Sequence, residues 1–469
     1  MITIDDLNAL NPWWTDDQWV PADDPHLGAA EVAPFTWDPR PFSATDLDTG
    51  AVFTLRGPRQ SGKTTLTKRL IAERVAAGHA RRCCFINLRI VDSADEIRTA
   101  IDLVLRLWPA EGPDDRWLFI LDELTFVRGW ANAIAHLREH NRQFGRATVI
   151  LTGSSSADLI ESADDLQGRR GRLAAPLDRL HMPMTFRDYL AARAPAVRLG
   201  ETVPVEDLLT DAGRQAITTL ALRTAELDQY LGEYSRCGGL PTPVTDMLAH
   251  RRLLPGTITE LWRGLSADVR RLDRSEDRLA KLLTRTVLSL GSLTNLTTVM
   301  EEMDVAKTTA REYVDLLAGS FGLIVLHQED PKRAGERSLT KQRKHYFGDT
   351  AFAAIPEALG GPSPKPQALV ENLLAIALFR HIERNALEAF AAPRSLFLWR
   401  SSNDREIDFV VHGRPRLPVE CKYAEEPRGK DYESMSKAFG RGILASHHSL
   451  VTDREILTVP TAVLLAAIG

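Results

Sequence analysis

Gly57-Pro58-Arg59-Gln60-Ser61-Gly62-Lys63-Thr64 follows the short apolar run 52–55 and precedes the helical pattern 63–77. The octet satisfies G-x-x-x-x-G-K-[ST]. Its glycines let the backbone turn tightly, so that N–H groups and the start of the next helix point at a phosphate chain. A loop of this kind needs a strand to deliver it and a helix to leave it, and both flank it here. The same alternation continues outward: apolar runs at 83–88, 117–121 and 148–151 are separated by helical stretches. This pattern predicts an α/β fold, a parallel sheet with helices on its faces.

Within the loop, Gly57, Pro58, Arg59, Gln60, Ser61 and Gly62 supply the cradle. Lys63 is expected to reach the β- and γ-phosphates, and the Thr64 hydroxyl, followed by Thr65, to ligate Mg²⁺. The run Trp117-Leu118-Phe119-Ile120-Leu121-Asp122-Glu123 ends an apolar strand in two carboxylates. Asp122 would stand beside the Mg²⁺ shell and Glu123 would polarise the attacking water. The two motifs together predict a site for ATP and Mg²⁺ that hydrolyses the nucleotide. A third strand ends in Thr152-Gly153-Ser154-Ser155-Ser156 at the same sheet edge. Thr152 or Ser154 could sense the γ-phosphate, or the hydroxyls could cap a helix over 157–160. The basic stretch Gln167-Gly168-Arg169-Arg170-Gly171-Arg172 could offer Arg169 or Arg170 as an arginine finger. Such fingers often act from a neighbouring subunit, which would make the protein a homo-oligomer; a plain surface loop is the alternative.

With 469 residues the chain exceeds one ordinary core and suggests roughly three domains. The formal net charge of -5 gives no whole-chain polyanion signature, so a nucleic-acid surface would have to be a local patch. Cys83, Cys84, Cys237 and Cys421 show neither zinc-ligand spacing nor a disulfide pattern, which fits a reducing, cytoplasmic setting. No apolar run approaches the roughly 20 residues that span a bilayer, so no membrane association is expected.

Composition shifts divide the chain further. Residues 1–50 hold Trp13, Trp14, Trp19 and Trp37 among prolines and are expected to pack as an irregular arm on the P-loop core, 51–184. Residues 185–290 read as a helical lid, interrupted by Cys237-Gly238-Gly239-Leu240-Pro241. Over 291–347, helices at 296–303 and 307–319 followed by a strand at 323–326 resemble a winged helix. Lys307, Thr308, Thr309 and Arg311 stand near the start of its second helix, where helix-turn-helix proteins meet DNA. Lys332, Arg333, Arg337, Lys341, Arg343 and Lys344 follow with only Glu336 opposing them, which suits phosphate contact on a basic wing. A winged helix used for protein contact is the alternative. Residues 348–469 then read as a helix at 368–382 and two strands, 407–411 and 417–422, around the turn at His412-Gly413-Arg414.

The motif set resembles the bacterial and archaeal AAA-type ATPases that carry a C-terminal domain of unknown function with a restriction-endonuclease-like core. The resemblance rests on Asn11-Pro12-Trp13-Trp14, Leu55-Arg56-Gly57-Pro58-Arg59-Gln60, Leu121-Asp122-Glu123, Leu151-Thr152-Gly153-Ser154-Ser155, Gly168-Arg169-Arg170-Gly171 and Gly238-Gly239-Leu240-Pro241. It implies an AAA-like ATPase, a helical lid and a winged helix, and supplies no substrate.

Arg405-Glu406-Ile407-Asp408 and Leu417-Pro418-Val419-Glu420-Cys421-Lys422 look like the D…E-x-K signature of restriction-endonuclease-like nucleases, with Glu371 as a third acid. Strand alternation puts Glu420 and Lys422 on one face. Glu371, Asp408 and Glu420 would hold one or two Mg²⁺ ions while Lys422 orients water or offsets charge at phosphorus. A solvated hairpin with alternating charges, or a fold kept for DNA binding alone, gives the same pattern. The leading expectation is an AAA-type ATPase acting on DNA. Its rivals are an ATP-gated nuclease and a nucleotide switch that binds a protein.

Overall fold

The computed structural model describes residues 2–109, 112, 115–153, 166, 168–173, 175–338, 341–389 (385–389 as backbone), 396–401, 403–413, 415–423 and 427–469. The chain divides into two compact units, Met1–Met182 and Pro183–Gly469.

The first unit is built on five strands: β1 (Val52–Arg56), β2 (Cys83–Asn87), β3 (Leu118–Asp122), β4 (Thr148–Thr152) and β5 (Asp178–Leu180). They lie in the order β2-β3-β4-β1-β5, all parallel. Every residue of β1, β3 and β4 is buried, so these strands read as continuous apolar runs, the signature of a sheet covered on both faces. The helices Lys63–Ala76, Ala94–Leu107 and Trp130–His140 supply the cover. In Ala94–Leu107, Ser93 caps the amino end by accepting from the Glu96 N–H, and Ile97, Ala100, Ile101, Val104 and Leu105 form the buried stripe. β5 is a fifth strand that sequence reading passes over. Its three residues carry no apolar pattern, and register with β1 (Thr54 opposite Asp178) holds it in place.

The tryptophan arm meets the sheet at its open edge. β2 is an edge strand, and edge strands leave unpaired backbone groups. The Asn11 side chain accepts from the Phe85 N–H at 2.6 Å and donates to the Phe85 carbonyl at 3.0 Å. The indole N–H groups of Trp13 and Trp14 both donate to the Cys83 carbonyl, at 3.2 and 2.8 Å. Ile2, Leu7, Trp13, Trp14, Phe42 and Leu47 belong to the same hydrophobic core as the strands.

The second unit begins with the helices Phe186–Arg193, Asp211–Ala221, Thr224–Cys237, Pro241–His250, Pro255–Arg271 and Glu276–Ser289. Leu296–Met303 and Lys307–Gly319 follow, then β6 (Leu323–His327), β7 (Glu329–Asp330), β8 (Arg333–Arg337) and β9 (Arg343–Phe347). β6 pairs antiparallel with β9 and β7 with β8, so two helices are followed by two hairpin layers. The long helix Pro366–Ala389 leads into a mixed sheet of β10 (Leu396–Arg400), β11 (Glu406–Val411), β12 (Leu417–Lys422), β13 (Gly442–Ser446) and β14 (Ile456–Pro460), in sequential order. β10, β11 and β12 are antiparallel neighbours. The helix Gly429–Phe439 makes the crossover after which β13 and β14 run parallel to β12.

At the carboxyl end of Thr224–Cys237, Gly238 takes φ +62°, and a Cβ there would stand 1.8 Å from Asp349 Oδ1. Next to it, the Gly239 N–H donates to Asp349 Oδ2 at 2.9 Å, and a Cβ would meet the Met184 carbonyl at 2.0 Å. One approach by a carboxylate and one by a backbone carbonyl thus leave no room for a side chain on the pair. Among the described residues, no helix is long and apolar enough to cross a membrane.

Candidate functional site

The loop 57–62 leaves the carboxyl end of β1 and enters the helix Lys63–Ala76 through Gly62, at φ 92°. A side chain on Gly57 would collide with the His181 carbonyl at 2.0 Å. His181 also braces the loop directly: its N–H donates to the Arg56 carbonyl at 2.7 Å, and its Nε2 lies 2.8 Å from the Ser61 carbonyl. Because a carbonyl only accepts, Nε2 carries the proton. Sequence reasoning missed His181, since a lone histidine just after a three-residue strand carries no motif.

Lys63 donates to the carbonyls of Gly57 and Pro58 at 2.9 and 2.7 Å. Burial pushes its ammonium down to about 8, with Glu123 and Asp122 opposing the shift. A buried ammonium satisfied only by neutral carbonyls is a group that a phosphate would stabilise. The Thr64 hydroxyl donates to Asp122 Oδ2 at 3.0 Å, and the Thr152 hydroxyl donates to Asp122 Oδ1. Burial raises the Asp122 carboxyl, while hydrogen bonds from Thr152 and Thr64 act the other way. Thr64 and Asp122 are therefore already adjacent, as holding one Mg²⁺ between them requires, and the residues fit that ion.

Glu123 follows at φ 60° and ψ 39°, a left-handed conformation that costs a non-glycine residue about 1–2 kcal/mol. Its N–H donates to Thr152 Oγ1 at 3.3 Å, and its carboxylate meets Arg89 Nη2 at 3.3 Å. The turn aims Glu123 away from the strand axis, and Thr152 holds both acids. Thr152 thus stands at the expected edge, with its hydroxyl committed to the Asp122 carboxylate and the Glu123 N–H. Ser154 lies outside the described residues. Arg89, just past β2, is a further neighbour of Glu123 that no sequence signal marks.

Arg169 and Arg170 lie at the other end of the sheet. The Val52 N–H donates to the Arg170 carbonyl at 2.8 Å, so this segment joins the start of β1, about 13 Å of strand away from Arg56. Arg169 Nε bonds Glu139 at 2.5 Å, and Arg170 Nη2 pairs with Asp178 at 3.0 Å. In this arrangement both guanidiniums are engaged by acids away from the P-loop of their own unit. The four cysteines are buried free thiols.

In the second unit, Lys307, Thr308 and Arg311 are exposed on the first turns of Lys307–Gly319. Lys332, Arg333, Arg337 and Lys341 are exposed in and around β8. Arg343 is half-buried, and burial, followed by Arg311, lowers its guanidinium from the ordinary value. Lys344 is not part of a solvated basic wing. Its side chain is 1% exposed, and its Nζ lies 2.6 Å from Asp408 Oδ1, 2.8 Å from Glu406 Oε1 and 3.3 Å from Glu371 Oε1. β9 turns it into the C-terminal sheet.

The acids read as a metal centre do converge, around that lysine. Asp408 Oδ2 accepts from the Cys421 N–H at 2.9 Å, Glu420 Oε2 accepts from the Asp408 N–H at 3.1 Å, and Lys422 Nζ bonds Glu420 Oε1. Burial, then the charge of Asp408, raises Glu371 to about 7 and Glu420 to about 8. Burial also opposes ionisation of Asp408, but the ammoniums of Lys344 and Lys422 outweigh it and hold that carboxyl below its ordinary value.

Residues 49–190 match a family model described as an AAA domain. Residues 228–361 and 367–460 match two domains of unknown function, DUF8612 and DUF4143. No curated protein matches the chain. Among solved structures, the Walker-type ATPase of Pyrococcus abyssi is 13% identical, with 71% of this chain and 93% of that one covered and a TM-score of 0.40. The Aeropyrum pernix Orc1 protein, solved in complex with DNA, is 16% identical over 75% of this chain and 95% of that one, with a TM-score of 0.32. At these scores the structural likenesses carry no functional argument. Residues 49–190 thus match an AAA domain, and the P-loop and the carboxylate motif both lie on its five-stranded parallel sheet.

Proposed function

We propose that the chain binds and hydrolyses ATP with Mg²⁺, and that its nucleotide state governs action on DNA through the basic surface of a winged-helix region. The observation that carries the nucleotide half is the contact between Thr64 and Asp122 at 3.0 Å, with Glu123 next in sequence. Bound Mg²⁺ would supply charge neutralisation at the β- and γ-phosphates. The chain's own groups do the rest: Lys63 leaves the loop carbonyls for phosphate oxygens, Thr64 and Asp122 hold the ion's shell, and Glu123 accepts the proton of the attacking water. Thr152 holds the Asp122 carboxylate and the Glu123 backbone N–H.

For DNA, support comes from six exposed cations: Lys307 and Arg311 on the helix Lys307–Gly319, and Lys332, Arg333, Arg337 and Lys341 in and around β8. Exposed cations of this kind on a chain of net charge -5 suit phosphate contact. A homo-oligomer belongs to the same reading, with Arg169 or Arg170 exchanging its present acid for the nucleotide of a neighbouring copy. ATP hydrolysis measured with and without single-stranded, duplex and branched DNA tests the proposal. DNA-stimulated turnover is expected. Turnover indifferent to every DNA form would replace the DNA role with a nucleotide switch acting on a protein.

A further inference from the structure

Asp408, Glu420, Lys422 and Glu371 form a pattern that calls for a divalent cation, and the residues assembled here do not fit one. Lys344 enters the cluster from β9, 64 residues before Asp408. An ammonium has three N–H donors, and three carboxylates surround this one: Asp408, Glu406 and Glu371. Five of the six carboxylate oxygens of Asp408, Glu420 and Glu371 are engaged by groups of the chain itself. Asp408 Oδ2 is held by the Cys421 N–H, Glu420 Oε2 by the Asp408 N–H and Glu420 Oε1 by Lys422, while Glu371 Oε1 also accepts from the Tyr346 hydroxyl at 2.7 Å.

Mg²⁺ needs oxygen lone pairs at about 2.0–2.1 Å in near-octahedral array. An ammonium 2.6 Å from Asp408 Oδ1 fills that position, and an incoming dication would also face the charge of Lys422. The site is nearly closed to solvent at Lys344, at 1% exposure. Its chemistry is that of a buried ion-pair hub, satisfied from within the chain.

We propose that Lys344 is the resident counter-cation of this cluster, in the place a divalent ion takes in a nuclease-type centre. The cluster then fastens β9, and with it the β6–β9 hairpin, to the C-terminal sheet, and does not cut phosphodiesters. This inference is independent of the nucleotide reading, because none of its residues belongs to the P-loop unit.

The test uses the full chain carrying Lys63→Ala, Asp122→Asn and His447→Ala, so that neither the nucleotide site nor the Asp228, His447 and His448 group contributes metal. Mn²⁺ binding is followed by the electron paramagnetic resonance of free Mn²⁺, and thermal unfolding is compared in Mn²⁺ and in EDTA. The expected result is no stoichiometric Mn²⁺ at sub-millimolar concentration and the same Tm in both. Adding Lys344→Met should lower Tm, and adding Asp408→Asn to Lys344→Met should recover part of the loss, since it removes a carboxylate left without its cation. Should Lys344→Met fail to fold, the parent and its Asp408→Asn derivative still decide the matter, with neither expected to bind Mn²⁺. One Mn²⁺ per chain in the parent that disappears in Asp408→Asn would overturn the proposal. So would a folded Lys344→Met with the parent's Tm, or a Lys344→Met, Asp408→Asn pair less stable than Lys344→Met alone.

Discussion

The Thr64 hydroxyl lies 3.0 Å from Asp122 Oδ2, although 58 residues separate the two in the chain. The contact joins the loop after β1 to the tip of β3 and makes the separate roles of Lys63 and Glu123 testable. Lys63→Ala should lose at least tenfold in ATP affinity, because the ammonium that meets the phosphates is gone. Glu123→Gln should bind ATP normally and lose about 10²–10⁴ in turnover, the usual range for a general base. Calorimetry for binding and phosphate release for turnover separate the two; wild-type turnover by Glu123→Gln would remove it as the base.

Exposure now defines which basic residues can meet DNA. Arg311→Ala, Arg333→Ala and Arg337→Ala together should weaken DNA binding across sequences and reduce the slope of log K against log salt by about 3, if each contacts one phosphate. ATP affinity should stay unchanged. An unaltered slope in a fluorescence-anisotropy salt series would exclude this face.

Truncation offers a check on the arm. The AAA match begins at residue 49, yet Ile2, Leu7, Trp13, Trp14, Phe42 and Leu47 are core residues of that unit. Their burial contributes on the order of 10 kcal/mol at roughly 1.5–3 kcal/mol per large side chain, comparable to a whole domain's stability. A chain begun at residue 49 should be insoluble or lack a cooperative melting transition. A cooperative transition near the full-length Tm would show the arm to be dispensable.

Acid should destabilise the second unit through His345. Burial, aided by the charges of Arg343, His327 and Arg285, pushes its imidazole down to about 3, so it stays neutral in the fold. The unfolded chain takes up a proton near pH 6.5 while the folded chain does not, so stability is present above that pH and lost as pH falls towards 3. Between pH 7 and pH 5 the loss is about 2 kcal/mol for this residue. His327, lowered to about 4 by burial and by Arg343, adds in the same direction. Denaturant titrations at the two pH values should show a smaller difference for His345→Leu than for the parent.

The P-loop and the Asp122-Glu123 pair were legible because each is a local signal: a strand, a turn and a carboxylate at a strand tip need no distant partner to be recognised. β5 was not, since Asp178-Arg179-Leu180 has no apolar pattern and owes its pairing to β1. Lys344 was misplaced for a related reason. In sequence it closes a basic run, and only acids 27, 62 and 64 positions later make its burial tolerable. Where Arg169 and Arg170 sit was not legible either, because composition does not reveal which end of a strand a loop returns to.

The glycines at 238 and 239 leave a space that other groups of the chain fill. A methyl group at Gly238 would overlap the Asp349 carboxylate, and one at Gly239 the Met184 carbonyl, so an alanine at either position displaces a group that is already placed. The seam between the end of Thr224–Cys237 and the segment after β9 is thus closed by a carboxylate seated on bare backbone, and its tightness depends on what these two positions lack.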